Sequence, residues 1–263
     1  MVLTKLEEAA RKAGEIMLSA ARQDLQAEEK EGDHNPVTVY DKKIQAFLQE
    51  QLYSLCPSAG FLGEEGDTSC DVNGLYWVVD PIDGTSNFIH DYRQSTVSIA
   101  LYEGETPVLA VVANPYQNEV FTAEKGKGAY VNGNPIRVSK RPVESALIGF
   151  GTTPYERKFA DFTFEAAKRA YLPVRDIRRS GSAALDLAHI ACGRLDGFFE
   201  ARLSFWDFAA GRLLIEEAGG VASDFAGAPL PRQRSSVLAG NLEVYPFLRE
   251  VIAGVSADWA GLV

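Results

Sequence analysis

The chain begins with helical spacing. Leu3, Leu6, Ala10, Ala13, Met17 and Ala21 recur on one face, and Thr4-x-x-Glu7 has the form of a capping box, so residues 4–23 are predicted as a helix. Residues 26–36 are polar, charged and punctuated by Gly32 and Pro36, which predicts a loop. Helical spacing returns over Val39–Leu55, where Ile44, Phe47, Leu48, Leu52 and Leu55 face inward and Pro57 marks the stop. A short strand over Ala59–Gly63 leads to Glu64-Glu65, and residues 66–74 read as a turn.

The spacing then changes. Trp77-Val78-Val79 is a continuous apolar run, the pattern of a buried strand, and it ends in two acids, Asp80 and Asp83. Strand patterns follow at Thr96–Tyr102, Pro107–Ala113, Glu119–Ala123 and Gly128–Val131, and Asn132-Gly133 is a hairpin turn before Ile136-Arg137-Val138. The short spacings require antiparallel pairing. Beyond residue 140, strands alternate with helices: strands at Ala146–Phe150, Val174–Ile177, Leu195–Glu200, Val221–Phe225 and Ser236–Ala239; helices at Pro154–Tyr171, Ser182–Gly193, Trp206–Ala218 and 242–254. This predicts two parts: residues 1–140, two helices with an antiparallel meander, and residues 141–263, an α/β half. There is no internal repeat and no low-complexity tract.

Charge and composition narrow the classes. The 263 residues carry 36 acidic and 26 basic side chains, a formal charge of −10, which argues against non-specific nucleic-acid binding. Cys56, Cys70 and Cys192 are sparse and far apart, poor disulfide material that fits a reducing compartment. Neither they nor His34, His90 and His189 have zinc spacing. No signal-peptide pattern and no apolar run of ~20 residues occurs. The expectation is a cytoplasmic protein without a membrane span.

The candidate chemistry sits at residues 77–88. Asp80-Pro81-Ile82-Asp83-Gly84 is a strong turn sequence, and that reading stands on its own. The same segment could also bring two carboxylates and the Ile82 carbonyl to one point, with the N–H groups of Gly84, Thr85 and Ser86 facing an anion. Glu64 follows a strand, and Asp207 stands in the first turn of a predicted helix, where an acid also suits the macrodipole. Carboxylates without sulfur or imidazole suit Mg2+, Mn2+ or Ca2+ rather than zinc. Asp-x-x-Asp-Gly-Thr is not the Asp-x-Asp signature of haloacid-dehalogenase-like phosphatases, and the P-loop and EF-hand spacings are absent.

Taken together, the motifs resemble the inositol monophosphatase family of Mg2+-dependent, lithium-sensitive phosphatases. They occur in family order: Pro36-Val37-Thr38-Val39-Tyr40-Asp41, Gly63-Glu64-Glu65, Trp77 to Phe88, Lys125-Gly126-Lys127-Gly128-Ala129, Gly181-Ser182-Ala183-Ala184, and Trp206-Asp207-Phe208-Ala209-Ala210-Gly211 with Glu217-Ala218-Gly219-Gly220. The resemblance implies a five-layer αβαβα sandwich of the α+β class and a homodimer. It implies that Glu64, Asp80, Asp83, Asp207 and the Ile82 carbonyl hold two or three Mg2+ ions, with Mn2+ as a substitute. Thr85, with Asp41 and Glu64, would position and deprotonate an attacking water. Gly84, Thr85 and Ser86 would receive the phosphate. Lys30 matches a loop lysine; Gly181, Ser182, Ala183, Glu200 and Asp207 match positions near the alcohol. Asn35 stands where many members have Asp, and Ser182 where some have Thr. The implied activity is hydrolysis of a small phosphorylated polyol or sugar, first of all inositol 1-phosphate. Fructose 1,6-bisphosphate, NADP or a nucleotide remains an alternative, as does a non-catalytic regulatory role. Arg175, Arg178 and Arg179 form a basic cluster that could bind a second phosphate or simply make ion pairs.

Overall fold

Tyr76-Trp77-Val78-Val79 is buried on both faces, so its strand must lie between two layers. In the computed structural model, Tyr76 and Val78 enter one hydrophobic core, and Trp77 and Val79 another. This is the side-chain period of a strand applied to a run with no polar face. The structure describes residues 2–21, 24–30, 36–66 and 70–258. Asn35, part of the 26–36 loop, residues 22–23 of the first predicted helix and residues 67–69 of the 66–74 turn lie outside them.

The apolar run belongs to β4 (Leu75–Asp83), next to the edge of a seven-stranded sheet. The other strands are β3 (Gly60–Gly63), β5 (Thr96–Glu103), β6 (Thr106–Asn114), β7 (Glu119–Glu124), β8 (Gly128–Val131) and β9 (Asn134–Ile136), in sequential order from β3 to β9. β3 pairs parallel to β4 and every later pair is antiparallel. On one face lie α1 (Val2–Leu18) and α2 (Val39–Leu55), whose Leu6, Ala10, Met17, Ile44, Leu48 and Leu52 pack against Trp77, Val79, Ile99 and Val111. On the other face lie α5 (Ala183–Ala191) and α6 (Phe205–Glu217), sharing a core with Tyr102, Val112, Phe198 and Val237. The central helices thus have sheets on both sides.

The second sheet has five strands in the order β11-β10-β12-β14-β13: β10 (Leu147–Phe150), β11 (Asp176–Arg178), β12 (Gly197–Leu203), β13 (Val221–Ser223) and β14 (Ser235–Gly240). β10 is parallel to β11 and β12, whereas β14 is antiparallel to both its neighbours. Its outer face is covered by α4 (Ala160–Tyr171) and α7 (Val244–Asp258). The result is the five-layer αβαβα sandwich of the α+β class.

Several sequence expectations change. The first helix includes Val2 and ends at Leu18, so Thr4 lies inside it rather than capping it. Asp80 to Asp83 is not a turn: β4 runs through it. The predicted Pro154 helix starts as a 3-10 turn at Arg157–Phe159 and becomes α-helical only at Ala160. Two short elements lacked any periodic signal: the β1 (Glu28–Glu29) and β2 (Pro36–Val37) pair, and the one-turn α3 (Thr85–Ile89).

The middle layer depends on a close crossing of α5 and α6. A Cβ on Gly211 would lie 2.6 Å from Leu187 Cβ and 2.5 Å from its Cδ1, and the Leu187 Cβ cannot swing away. Gly211→Ala should therefore destabilise the fold by about 1–3 kcal/mol despite the higher helix propensity of Ala. Thermal denaturation measures this; an unchanged or raised Tm would mean that the helices separate without cost.

Candidate active site

The site starts from an irregularity in β4. Two acids three positions apart would point to opposite faces of a regular strand. The β4–β5 ladder pairs Asp80 with Ser98 and Asp83 with Thr96, so β4 carries one residue more than β5 across this interval. That is a β-bulge, at a proline that has no N–H to give the ladder. The extra residue returns both carboxylates to one side. Ile82 N donates to Asp80 Oδ1 at 3.0 Å and fixes the bend. Gly84 then reverses the chain at φ +90°, where a Cβ would sit 3.0 Å from the Gln94 carbonyl oxygen and 3.1 Å from that of Gly181. Thr85 opens α3.

Asp207 and Asp41 reach the site from helix starts, and by the same device. Each is the third residue of its helix and closes a capping box. Ser204 N donates to Asp207 Oδ2 at 2.7 Å, and Thr38 N donates to Asp41 Oδ2 at 2.7 Å. One oxygen of each carboxylate is held by its own helix, and the other is left for the site. Asp80, Asp83 and Asp207 each bring a carboxylate oxygen to within 4.8 Å of the other two. Asp83 Oδ2 also accepts from the Ser182 hydroxyl and from Ala184 N at 2.9 Å, which ties β4 to the start of α5. Thr85 Oγ1 lies 3.1 Å from the Ile82 carbonyl and 3.3 Å from Asp41 Oδ1, and its single proton goes to one of them.

Glu64 stands beside this trio. Its N–H continues the β3–β4 ladder to Val79 O, and its Oε1 accepts from Lys30 Nζ at 2.8 Å. Lys30 also pairs with Glu65. Burial alone would lower the Lys30 pKa, but the charges and hydrogen bonds of Glu64 and Glu65 more than offset it and leave it raised.

The residues that the resemblance assigns to metal, water or substrate line one cleft of about 340 Å³, except Asp41, which is buried behind Thr85. Glu200 lies deeper, where its Oε1 accepts from Thr153 N at 2.7 Å. Its Oε2 sits where a Cβ on residue 151 would be, so only glycine fits there. Of the predicted basic cluster, Arg179 reaches the cleft, whereas Arg178 is exposed and paired with Asp176 and Arg175 does not line it. Asp186, Arg202 and Arg234 line the cleft without having been expected. Asp186 could have been noticed in the first turn after Gly181-Ser182-Ala183-Ala184. Nothing local marks the two arginines.

Crowding shapes the electrostatics. Burial, and then repulsion from neighbouring acids, pushes Asp80 and Asp207 well above the usual carboxylate range. Burial raises Asp83 to about 6, against the hydrogen bonds it receives. It raises Asp41 to about 6, Glu200 to about 7 and Asp186 to about 8. Such a cluster favours positive charge. Among the described residues no Cys or His lines the cleft, so its donors suit a hard divalent cation.

A five-layer sandwich with buried carboxylates gathered at a bulged strand end defines a class of metal-dependent phosphatases. The inositol monophosphatase family pattern matches residues 1–257. A Nus factor SuhB from Xylella fastidiosa is 42% identical over 219 residues, which cover 81% of this chain and 79% of that protein. An inositol-1-monophosphatase from Rhizobium meliloti is 41% identical over 232 residues, 88% of this chain and 87% of that one. The crystal structure of extragenic suppressor protein suhB from Bartonella henselae superposes with a TM-score of 0.90 at 35% identity, covering 95% of this chain and 98% of that one. The chain belongs to the inositol monophosphatase family.

The raised acids predict how stability depends on pH. Asp186 moves from an ordinary 3.8 to about 8, and Glu200 from 4.5 to about 7. The folded, metal-free protein therefore holds more protons than the unfolded chain between about pH 4 and pH 8. Its stability should fall as pH rises through that window, and Asp186→Asn should flatten the decline. Melting curves at pH 5 and pH 8 with a chelator present decide; a Tm that rises with pH would contradict the assignment.

Proposed function

We propose that the chain is a divalent-cation-dependent phosphate monoester hydrolase acting on small phosphorylated polyols, first of all inositol 1-phosphate. The trio of Asp80, Asp83 and Asp207, the first two buried and the third half-buried, beside Gly84-Thr85-Ser86 carries this reading. Asp80, Asp83, Asp207, Glu64 and the Ile82 carbonyl would hold the cations, Mg2+ in the first place. Bound cations supply neutralisation of the carboxylates and polarisation of the ester phosphate.

The chain's own groups do the rest. The N–H groups at the start of α3 have no intrahelical partner and receive phosphate oxygens. Thr85 Oγ1 gives its proton to Asp41 Oδ1 as it takes one from the attacking water. With a pKa of about 6, Asp41 is mostly ionised at neutral pH and able to accept that proton. No side-chain nucleophile is needed, because water attacks phosphorus directly. On the alcohol side, the hydroxyls of a polyol meet Glu200 and the Gly181-Ser182-Ala183 segment. Lys30, paired with Glu64 on the rim of the site, balances charge there.

The two names carried by similar proteins, a phosphatase and a Nus factor, make activity the first thing to measure. Phosphate release from inositol 1-phosphate should require a divalent cation. Asp83→Asn should lower it by about 100-fold or more, since it removes an anionic ligand with almost no change of shape. Thr85→Ala should lower kcat with little effect on KM. If the unaltered protein releases no phosphate from a panel of inositol, sugar and nucleotide phosphates, the enzyme reading fails.

A further inference from the structure

The cleft has a cationic wall that the chemistry at the carboxylate trio leaves unused. Arg179, Arg202 and Arg234 line it. Glu200 and Arg202 are two positions apart on β12, and Leu203 of β12 pairs with Ser235 of β14, which follows Arg234 directly. The two arginines therefore stand at adjoining ends of neighbouring strands. Both approach the same carboxylate oxygen, Glu156 Oε1, from Arg202 Nε at 3.7 Å and Arg234 Nη1 at 3.4 Å. Lys158 Nζ lies 3.1 Å from the other oxygen. Three cations share one carboxylate, so two positive charges are in excess on a chain whose net charge is −10. Arg179 has no ion pair among the described residues; it donates to Thr152 Oγ1 at 3.2 Å, and its charge acts on Glu200. The side chains of Arg202 and Arg234 are 43% and 46% exposed, open to a ligand.

We propose that Arg202 and Arg234, with Arg179 beside them, form a second anion subsite. The cleft then takes a polyol or sugar that carries its scissile phosphate at the carboxylate trio and a second anionic group, phosphate or carboxylate, at the arginine wall. Guanidinium groups suit both, because each presents paired N–H donors to paired oxygens. Glu156 is the internal competitor: it holds the arginines in place and screens them until a ligand anion takes up their free donors. The proposal rests on the phosphatase reading for the scissile end and names the substrate class of the same site.

The test compares kcat/KM, with a divalent cation present, for inositol 1-phosphate, a hexose 1,6-bisphosphate and 6-phosphogluconate. The last two separate a second phosphate from a carboxylate. The variants are the Arg202→Ala/Arg234→Ala pair and Glu156→Gln, each checked for an intact melting transition. The ratio of kcat/KM for a doubly anionic substrate to that for inositol 1-phosphate should fall about tenfold in the arginine pair, since each half-exposed contact is modest. In Glu156→Gln the same ratio should rise. A merely structural role for the cluster would not move the two variants in opposite directions. A ratio unchanged in both, or shifted the same way in both, overturns the proposal. If the unaltered protein turns over none of the three, the phosphatase reading is what has failed. Calorimetric binding of the hexose bisphosphate then decides the subsite: loss of affinity in the arginine pair sustains it, and equal affinity overturns it.

Discussion

The site depends on crowding carboxylates where water cannot screen them. Asp80, Asp83 and Asp207 repel one another within 4.8 Å, and burial makes each charge costlier still. Left alone, such groups would take up protons or move apart. The surrounding structure prevents the second: a bulge fixes Asp80 and Asp83, a capping box fixes Asp207, and Ser182 with the α5 backbone pins Asp83. The strain is balanced by the three hydrophobic cores on which β4, α5 and α6 are mounted. A site held open against its own repulsion is a site prepared for cations.

The layers also divide the labour across the cleft. The first sheet delivers Asp80 and Asp83, α2 delivers Asp41, and α6 delivers Asp207 to the side where Thr85 opens α3. The second sheet delivers Glu200 and the arginine wall, and the start of α5 joins the two. Under the proposed function, the groups that would choose the alcohol are borne by a different sheet from most of those that would hold the cations, so the two sides of the cleft can vary separately.

The site was legible where its chemistry is local in the chain. Asp80, Asp83 and Gly84 lie within five residues, and Asp207 announces itself after a helix-starting serine. The bulge was not legible, because Asp-Pro-x-Asp-Gly is as good a turn as a strand end, and only pairing with β5 keeps it extended. Nor was α3, whose single turn is too short for a periodic signal. The basic cluster was expected at Arg175, Arg178 and Arg179 because those residues are neighbours in sequence. Arg178 instead pairs with Asp176, and Arg202 and Arg234 are neighbours only in space.

The amino-acid sequence by itself determined most of the helices and strands, and its resemblance to a known family implied the five-layer sandwich. Apolar periodicity, capping residues and turn residues act over a few positions and need no partner to be read. The tertiary structure alone decided that two acids three apart share a side, that Lys30 neutralises Glu64, and that two distant arginines meet over Glu156. Those outcomes depend on strand register and on which surfaces face each other, and these are settled by packing whole layers rather than by any local stretch of chain.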